Sequence, residues 1–322
     1  MSDPFDLAVF FLEELNSLGE HQDIQVEPVI LPFIHQLITH ATELFNQEHN
    51  LVTIQIPLRS KLVLVGDLHG QWRNLREIVK TEGEPLSSNK YIFNGDFGGR
   101  GPQSLETFLA LASYKIKYPE AIFLTRGNHE SDGIASEDGC RQEIQSRLGV
   151  DTLAIFSSFF KVLPLAAVVK GTQSTATLLI VHGCVPVADT GTVTLEQIAE
   201  LERRIEPPEG AANLVTQKLW NDPCAEHGTH PSEHGGWGKR VGPDETAKFL
   251  SLNKLTGIFR SHVEIHSVQE DYSGCTTGKA MLPDSDTLRT INSHSLLCSS
   301  GPCVMVNIQR NAYLPDWNYP IC

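Results

Sequence analysis

Three short runs of this chain carry the side chains best suited to metal binding and proton transfer. Asp67 and His69 lie in G-D-L-H-G (66–70), Asp96 in N-G-D-F (94–97), and Asn128 and His129 in R-G-N-H-E (126–130). Carboxylate and imidazole together suit a borderline divalent cation such as manganese, iron or zinc. In D-x-H the two ligands share one side of an extended turn, because side chains repeat every second residue. The carboxylate of Asp96 has two oxygens and can bridge two cations. Asn128 offers a neutral oxygen, whereas His129 beside it points elsewhere and suits the role of an acid rather than a ligand. Two cations about 3.5–4 Å apart can hold a hydroxide nucleophile and clamp a phosphoryl group for in-line displacement. Gly66, Gly70, Gly95 and Gly127 flank the ligands, where tight turns and close backbone approach are needed.

A lone D-x-H is common, and Asn-His beside Gly is often only a turn. Here each run stands directly behind an apolar, strand-like stretch: Lys61–Val65, Tyr91–Phe93 and Ala121–Thr125. Three such pairings in order outweigh the bland explanation of any one of them. Ligands at the ends of successive strands converge at one edge of a sheet, so residues far apart in sequence can build a single site.

These runs belong to a longer ordered set. It comprises G-D-L-H-G-Q, G-D-F-G-G-R-G, Y-P-E-A-I-F-L-T-R-G-N-H-E, V-H-G-C (181–184), L-W-N-D-P (219–223), G-P-D-E-T (242–246) and R-S-H (260–262). The set resembles the phosphoprotein phosphatase (PPP-type) family of serine/threonine phosphatases, within the metallophosphoesterase fold, and spans roughly residues 28 to 310. The resemblance implies that Asp67 and His69 bind a first metal, that Asp96 bridges, and that Asn128, His182 and His262 complete a second site. It implies that His129 is the general acid for the leaving alkoxide. Arg100 would clamp the phosphate, a task suited to a planar guanidinium, and Asn128 and His129 would face the same phosphate. The implied reaction is hydrolysis of phosphoserine or phosphothreonine by a two-metal-activated hydroxide, without a phosphoenzyme. On the residues alone, His182 and His262 each follow an apolar run, so each could equally be a satisfied histidine at a strand end.

The chain departs from the family pattern at three places. Where the family reads G-D-x-V-D-R-G, Gly99 takes the position of the aspartate that pairs with the catalytic histidine. An Asp beside an imidazole fixes its tautomer and raises its pKa. The expectation is therefore that His129 is less well oriented and less often protonated, that catalysis is weakened, and that Gly99→Asp raises turnover. Spacing puts a family arginine at Gly235, with His234, Lys239 and Arg240 as candidate replacements. The family's S-A-P-N-Y-C segment corresponds poorly to 292–298 and puts Leu296 at the tyrosine position. Every metal-ligand position is kept while substrate-side positions have changed. That pattern favours an active metallophosphatase over a metal-binding pseudophosphatase that acts through a partner. A small-molecule phosphoesterase, such as one acting on a dinucleoside polyphosphate, is the third reading, and Arg100 speaks for the protein-phosphatase branch.

The chain has 322 residues, 40% of them hydrophobic, ample for a substantial core. Its formal net charge of −14 and pI near 5.3 disfavour nucleic acid or an anionic membrane as partner. Phosphate must then be attracted locally, by metals and Arg100. The expected partners are a phosphoprotein substrate and a candidate regulatory subunit. Seven cysteines at irregular spacing fit reduced thiols in the cytoplasm or nucleus better than a secreted disulfide framework. The first residues lack a basic stretch and cleavage site, so no signal peptide is expected. No apolar run approaches the ~20 residues that span a bilayer.

The elements that must position these groups read as α/β. Asp3-Pro4 starts a helix that Gly19 stops, with Phe5, Val9, Leu12 and Leu15 as its apolar stripe. A second helix over 32–48 shows Phe33, Leu37, Ala41 and Leu44. Strand and helix then alternate through 61–125, arguing a mostly parallel inner sheet. One helical stretch covers 138–161, a hairpin 165–181, a charged helical face 196–204 and a long loop 205–243. The loop holds Cys224, His227, His230 and His234, whose spacing matches no structural zinc pattern well. From Thr256 onward the chain would supply the second sheet. With the resemblance, the expected fold is a two-sheet α/β sandwich of the calcineurin-like type, divided into an N-terminal helix and linker (1–27) and a catalytic domain (28–322).

Overall fold

The computed structural model describes residues 3–19, 22–57, 60–171, 177–210 and 212–262, together with two short strands at 275–276 and 290–291. The chain begins with α1 (Pro4–Ser17), α2 (Leu31–Gln47), β1 (Leu51–Ile56), β2 (Lys61–Val65), α3 (Trp72–Glu82), β3 (Asn89–Asn94), α4 (Ser104–Lys117) and β4 (Ile122–Thr125). Next come α5 (Asp132–Glu137), α6 (Cys140–Leu148), a 3-10 turn (Val150–Thr152), α7 (Leu153–Val162), β5 (Ala166–Gly171) and β6 (Thr177–Val181). The remaining elements are α8 (Leu195–Ala199), α9 (Leu214–Trp220), β7 (Asp222–Pro223), β8 (Thr229–Pro231), β9 (Lys239–Val241), α10 (Pro243–Asn253), β10 (Gly257–Phe259), β11 (Cys275–Thr276) and β12 (Thr290–Ile291).

Period-two side-chain alternation decides how the strands are layered. In β2, Leu62 and Leu64 face one way and Val63 and Val65 the other, and all four are buried. Leu62, Leu64 and Ile92 meet Ile54, Ile56, Ala167, Val169, Leu178 and Ile180 from an opposing sheet. Val63, Val65, Tyr91 and Phe93 pack instead beneath a helical layer that includes α1, α2 and α4. Ala166, Val168, Leu179 and Val181 lie against Ile198 of α8 and Phe249 of α10. The result is the expected two-sheet α/β sandwich with helices on both outer faces. One sheet has the order β12-β2-β3-β4 and is parallel throughout. The other has the order β1-β5-β6-β10-β11, with β5 and β6 antiparallel and β6 and β10 parallel.

Several details differ from expectation. Asp3 caps α1 by accepting the Phe5 N–H at 2.8 Å, and the helix ends before Gly19. Its buried face, however, is Leu7, Ala8, Phe11, Leu12 and Leu15, while Phe5 is 50% exposed. That face shares one core with α2, α4 and the parallel sheet. In α2 the buried set is Ile34, Leu37, Ile38, Ala41 and Phe45, one position round from the expected stripe. Both helices carry apolar residues on more than one side, and packing selects the face. The stretch 138–161 is not one helix, because Gly139 (φ 91) and Gly149 (φ 88) take conformations that no helix carries. The charged helix stops at Ala199. Arg203 beyond it is buried rather than solvated, donating to the carbonyls of Phe45 (2.8 Å) and Glu48 (2.6 Å). The loop over 205–243 contains α9, capped by Asn213, and the small sheet β7-β9-β8. The second sheet is built mostly ahead of Thr256, and β12 joins the first sheet. Leu296 lies outside the described residues, as do the side chains of Cys275, Cys298, Cys303 and Cys322.

Lys218 in α9 is fully buried, and its Nζ has no hydrogen-bond partner among the described residues. Burial pushes its pKa down to about 7, with Cys184 opposing weakly. In the unfolded chain a lysine titrates near 10.4. Between those values the unfolded state holds more protons, so stability rises with pH across that window, and the full cost applies below it. Lys218→Met should therefore stabilise the protein by a few kcal/mol at pH 7. The gain should shrink as pH approaches 10 in denaturant titrations. An unchanged unfolding midpoint at pH 7 would contradict this.

Candidate metal centre

Each expected ligand follows the carboxyl end of a strand. Asp67 follows β2, Asp96 follows β3, Asn128 follows β4, His182 follows β6 directly, and His262 follows β10. Because β2, β3 and β4 are parallel neighbours, their ends open on one edge. Asn94, the last residue of β3, ties that edge to the other sheet. Its Nδ2 donates to the Val181 carbonyl (2.9 Å) and to Ser261 Oγ (2.8 Å), and its Oδ1 accepts from Thr125 Oγ1 (2.7 Å).

Two groups of ligand atoms share one carboxylate. Atoms of His69, Asp96 and His129 lie within 4.8 Å of one another, as do atoms of Asp67, Asp96 and His182. His69 Nε2 is 3.8 Å from Asp67 Oδ2 and 3.9 Å from Asp96 Oδ2, and His182 Nε2 is 3.2 Å from Asp96 Oδ1. The Nδ1 atoms are engaged elsewhere: that of His182 with the Asn94 carbonyl (2.8 Å) and that of His69 with the Gly98 carbonyl (3.3 Å). Each ring thus presents Nε2 to the site, the orientation a metal-binding imidazole needs. The carbonyl oxygen of Asn128 sits 3.2 Å from both Asp96 oxygens and 2.9 Å from His182 Nε2.

The electrostatics agree. Burial and then Asp96 push Asp67 up to about 6. Burial also opposes ionisation of Asp96, yet the imidazoles of His182, His129 and His69 hold it well below the usual carboxylate range. Burial disfavours a charged His182, but Asp96 and Asp67 outweigh it and push the ring up to about 9. Protons on such groups are what bound cations displace. The residues present fit a metal centre, with Asp96 common to both groups.

Strain is concentrated here. Among the described residues, five non-glycine residues have left-handed backbones, and four of them are His69 (φ 44), Asp96 (φ 53), Arg100 (φ 55) and His262 (φ 76). Glu130 holds much of this in place. Its buried carboxylate accepts the backbone N–H groups of Asp96 (2.8 Å), Phe97 (2.8 Å) and Gly127 (2.9 Å). A Cβ at Gly127 would stand 2.3 Å from Asp96 Oδ1, so only glycine lets the two loops approach. Arg126 Nε donates to the Glu130 carbonyl at 2.9 Å. Glu130 and Arg126 lie inside R-G-N-H-E, yet nothing in their spacing distinguishes them from solvent-facing charges.

His262 sits apart from the two groups. Its Nδ1 is 3.1 Å from Asp222 Oδ1, and its ring centroid is 5.3 Å from that of His182. Burial holds it down to about 4, so the ring is neutral. With Nδ1 committed to a carboxylate, Nε2 is the atom it can offer a cation. Asp222 also accepts from Arg260 (2.6 Å) and His234 (2.7 Å). Of the three residues considered in place of an arginine at Gly235, only His234 enters this cluster, 5.0 Å from His262 between ring centroids. Lys239 pairs with Asp189 (3.8 Å) and Arg240 with Glu233 (3.1 Å). The loop histidines do not form one site, since Cys224 and His230 group with Glu226.

The expectation that His129 lacks a partner is overturned. Its Nδ1 lies 2.5 Å from Oδ2 of Asp138, and the two side chains are 6% and 7% exposed. Burial works against the charged ring, but Asp96 and Asp138 outweigh it and raise its pKa. The side chain of Arg100 is exposed beside this pair, and its backbone N–H donates to the Asp138 carbonyl at 3.2 Å. Asp138 reads in the sequence as a helix start, and no spacing rule ties it to His129.

Residues 60–264 match the calcineurin-like phosphoesterase family. Serine/threonine-protein phosphatase T of Schizosaccharomyces pombe is 36% identical over 232 residues, 72% of this chain and 47% of that protein. Serine/threonine-protein phosphatase 5 of Homo sapiens is 35% identical over 228 residues, 71% of this chain and 44% of that protein. A solved protein serine/threonine phosphatase from Saccharomyces cerevisiae, with similarity to human phosphatase PP5, superposes with a TM-score of 0.69 at 31% identity, covering 77% of each chain. The chain belongs to the calcineurin-like phosphoesterase family, in its phosphoprotein phosphatase branch. It spans about half the length of the curated relatives it matches.

Proposed function

We propose that the chain hydrolyses phosphoserine and phosphothreonine in proteins. The observation that carries this reading is the sharing of Asp96 between two ligand groups, with His129 and Arg100 at the same edge. Asp67, His69 and Asp96 would hold one cation, and Asp96, Asn128, His182 and His262 the other. Manganese, iron and zinc all suit these donors. Such cations acidify a water molecule and offset phosphoryl charge. Arg100 engages two phosphate oxygens from the rim, and Asn128 helps seat the group. His129, held at Nδ1, delivers a proton from Nε2 to the departing alkoxide oxygen. The buried thiols of Cys140 and Cys224, which form no disulfide, support a cytoplasmic or nuclear setting. A regulatory subunit would supply targeting.

The test is phosphate release from a phosphoserine peptide and from p-nitrophenyl phosphate by manganese-loaded protein, with His129→Ala as control. On the peptide the control should lose about 10²–10⁴ in rate. Two bound metals per chain without release from either substrate would instead favour the pseudophosphatase reading.

A further inference from the structure

The most informative juxtaposition outside the ligand set is that of Gly99, Asp138 and His129. A Cβ built on Gly99 would stand 2.0 Å from Oδ2 of Asp138 and 2.9 Å from Nδ1 of His129. The carboxylate therefore occupies space that any other residue at 99 would fill. It is also firmly anchored. Its second oxygen, Oδ1, accepts the Cys140 N–H at 2.9 Å, in the first turn of α6. The Asp138 carbonyl accepts the Arg100 N–H. One residue thus sets His129 through its side chain and Arg100 through its backbone.

We propose that Asp138 is the positioning residue for the proton donor His129, and that Gly99 is kept small to admit it. The proposal rests on the phosphatase reading above. Asp138 touches neither phosphate nor cation. It fixes the ring through Nδ1, so that Nε2 carries the proton toward the leaving oxygen. Its contribution must then depend on how much the leaving group needs a proton. A serine alkoxide is strongly basic and needs one. A nitrophenolate is a stable anion and needs little help.

The experiment compares wild type with Asp138→Asn and Asp138→Ala, manganese-loaded. On the phosphoserine peptide kcat should fall about 10–100-fold with KM little changed. On p-nitrophenyl phosphate the fall should be several-fold smaller, so the ratio between substrates shifts. Asp138→Asn is isosteric and retains the Cys140 contact, which keeps the comparison interpretable if the alanine variant folds poorly. Equal losses on both substrates, or none, would overturn the proposal. A second readout is independent of turnover. In protein labelled with 15N-histidine, the His129 Nδ1–H should give a strongly downfield proton that disappears in Asp138→Ala. Absence of that signal in wild type, or its survival in the variant, would overturn the assignment. Wild-type protein inactive on both substrates would defeat the phosphatase reading, leaving the resonance to decide the contact.

Discussion

Asp96→Asn should empty both cation positions and lower phosphate release on the order of a thousandfold. Asp96 is the one ligand common to both groups, and its Oδ1 also accepts the His129 backbone N–H at 3.0 Å. An amide in its place removes a charge and turns an N–H₂ toward one of the two positions. Asp67→Asn removes a ligand from one of the two proposed positions only, so it should strongly reduce metal content without emptying both positions. Metal analysis of purified protein, beside peptide turnover, separates the two cases. Two metals at wild-type occupancy in Asp96→Asn would contradict the bridging role.

Gly99→Asp should lower peptide turnover by about 10–100-fold, opposite to what the sequence pattern alone predicts. Restoring the family residue looks like a repair, but the space is taken. The backbone at Gly99 is left-handed (φ 87), and the new Cβ would drive the Asp138 carboxylate off His129. Gly99→Ala should act in the same direction, because the obstruction is the Cβ and not the charge. Steady-state rates for both variants check this. A faster Gly99→Asp enzyme would mean that the loop re-forms around the new carboxylate.

What the sequence could reveal followed physical range. The strands before Asp67, Asp96 and Asn128 were legible because an apolar run and the chemistry behind it are local. The parallel order of β2, β3 and β4 followed from their alternation with helices. The buried faces of α1 and α2 were not legible, since each offers apolar residues on several sides and only the neighbouring layer chooses. His69 and His182 could be proposed as ligands, but not which ring nitrogen they present, because carbonyls of Gly98 and Asn94 settle that. The Gly99 departure was visible, and its meaning was not. That meaning depends on Asp138, which arrives from the turn before α6, where no periodicity points at His129. The structural role of Glu130 was hidden for the same reason, since its partners are backbone N–H groups of two other loops.

Asn94 has a mechanical consequence. It fastens the last residue of β3 to the ends of β4 and β6 and to Ser261, just where the two sheets meet. Asp67, Asp96 and Asn128 hang from one sheet and His182 from the other. Bound cations would therefore be rivets across a seam, adding to the side-chain packing and the Asn94 hydrogen bonds that already join the two layers. The catalytic machinery and the fastening of the sandwich are then one structure, and stripping the metal loosens the join as well as silencing the chemistry.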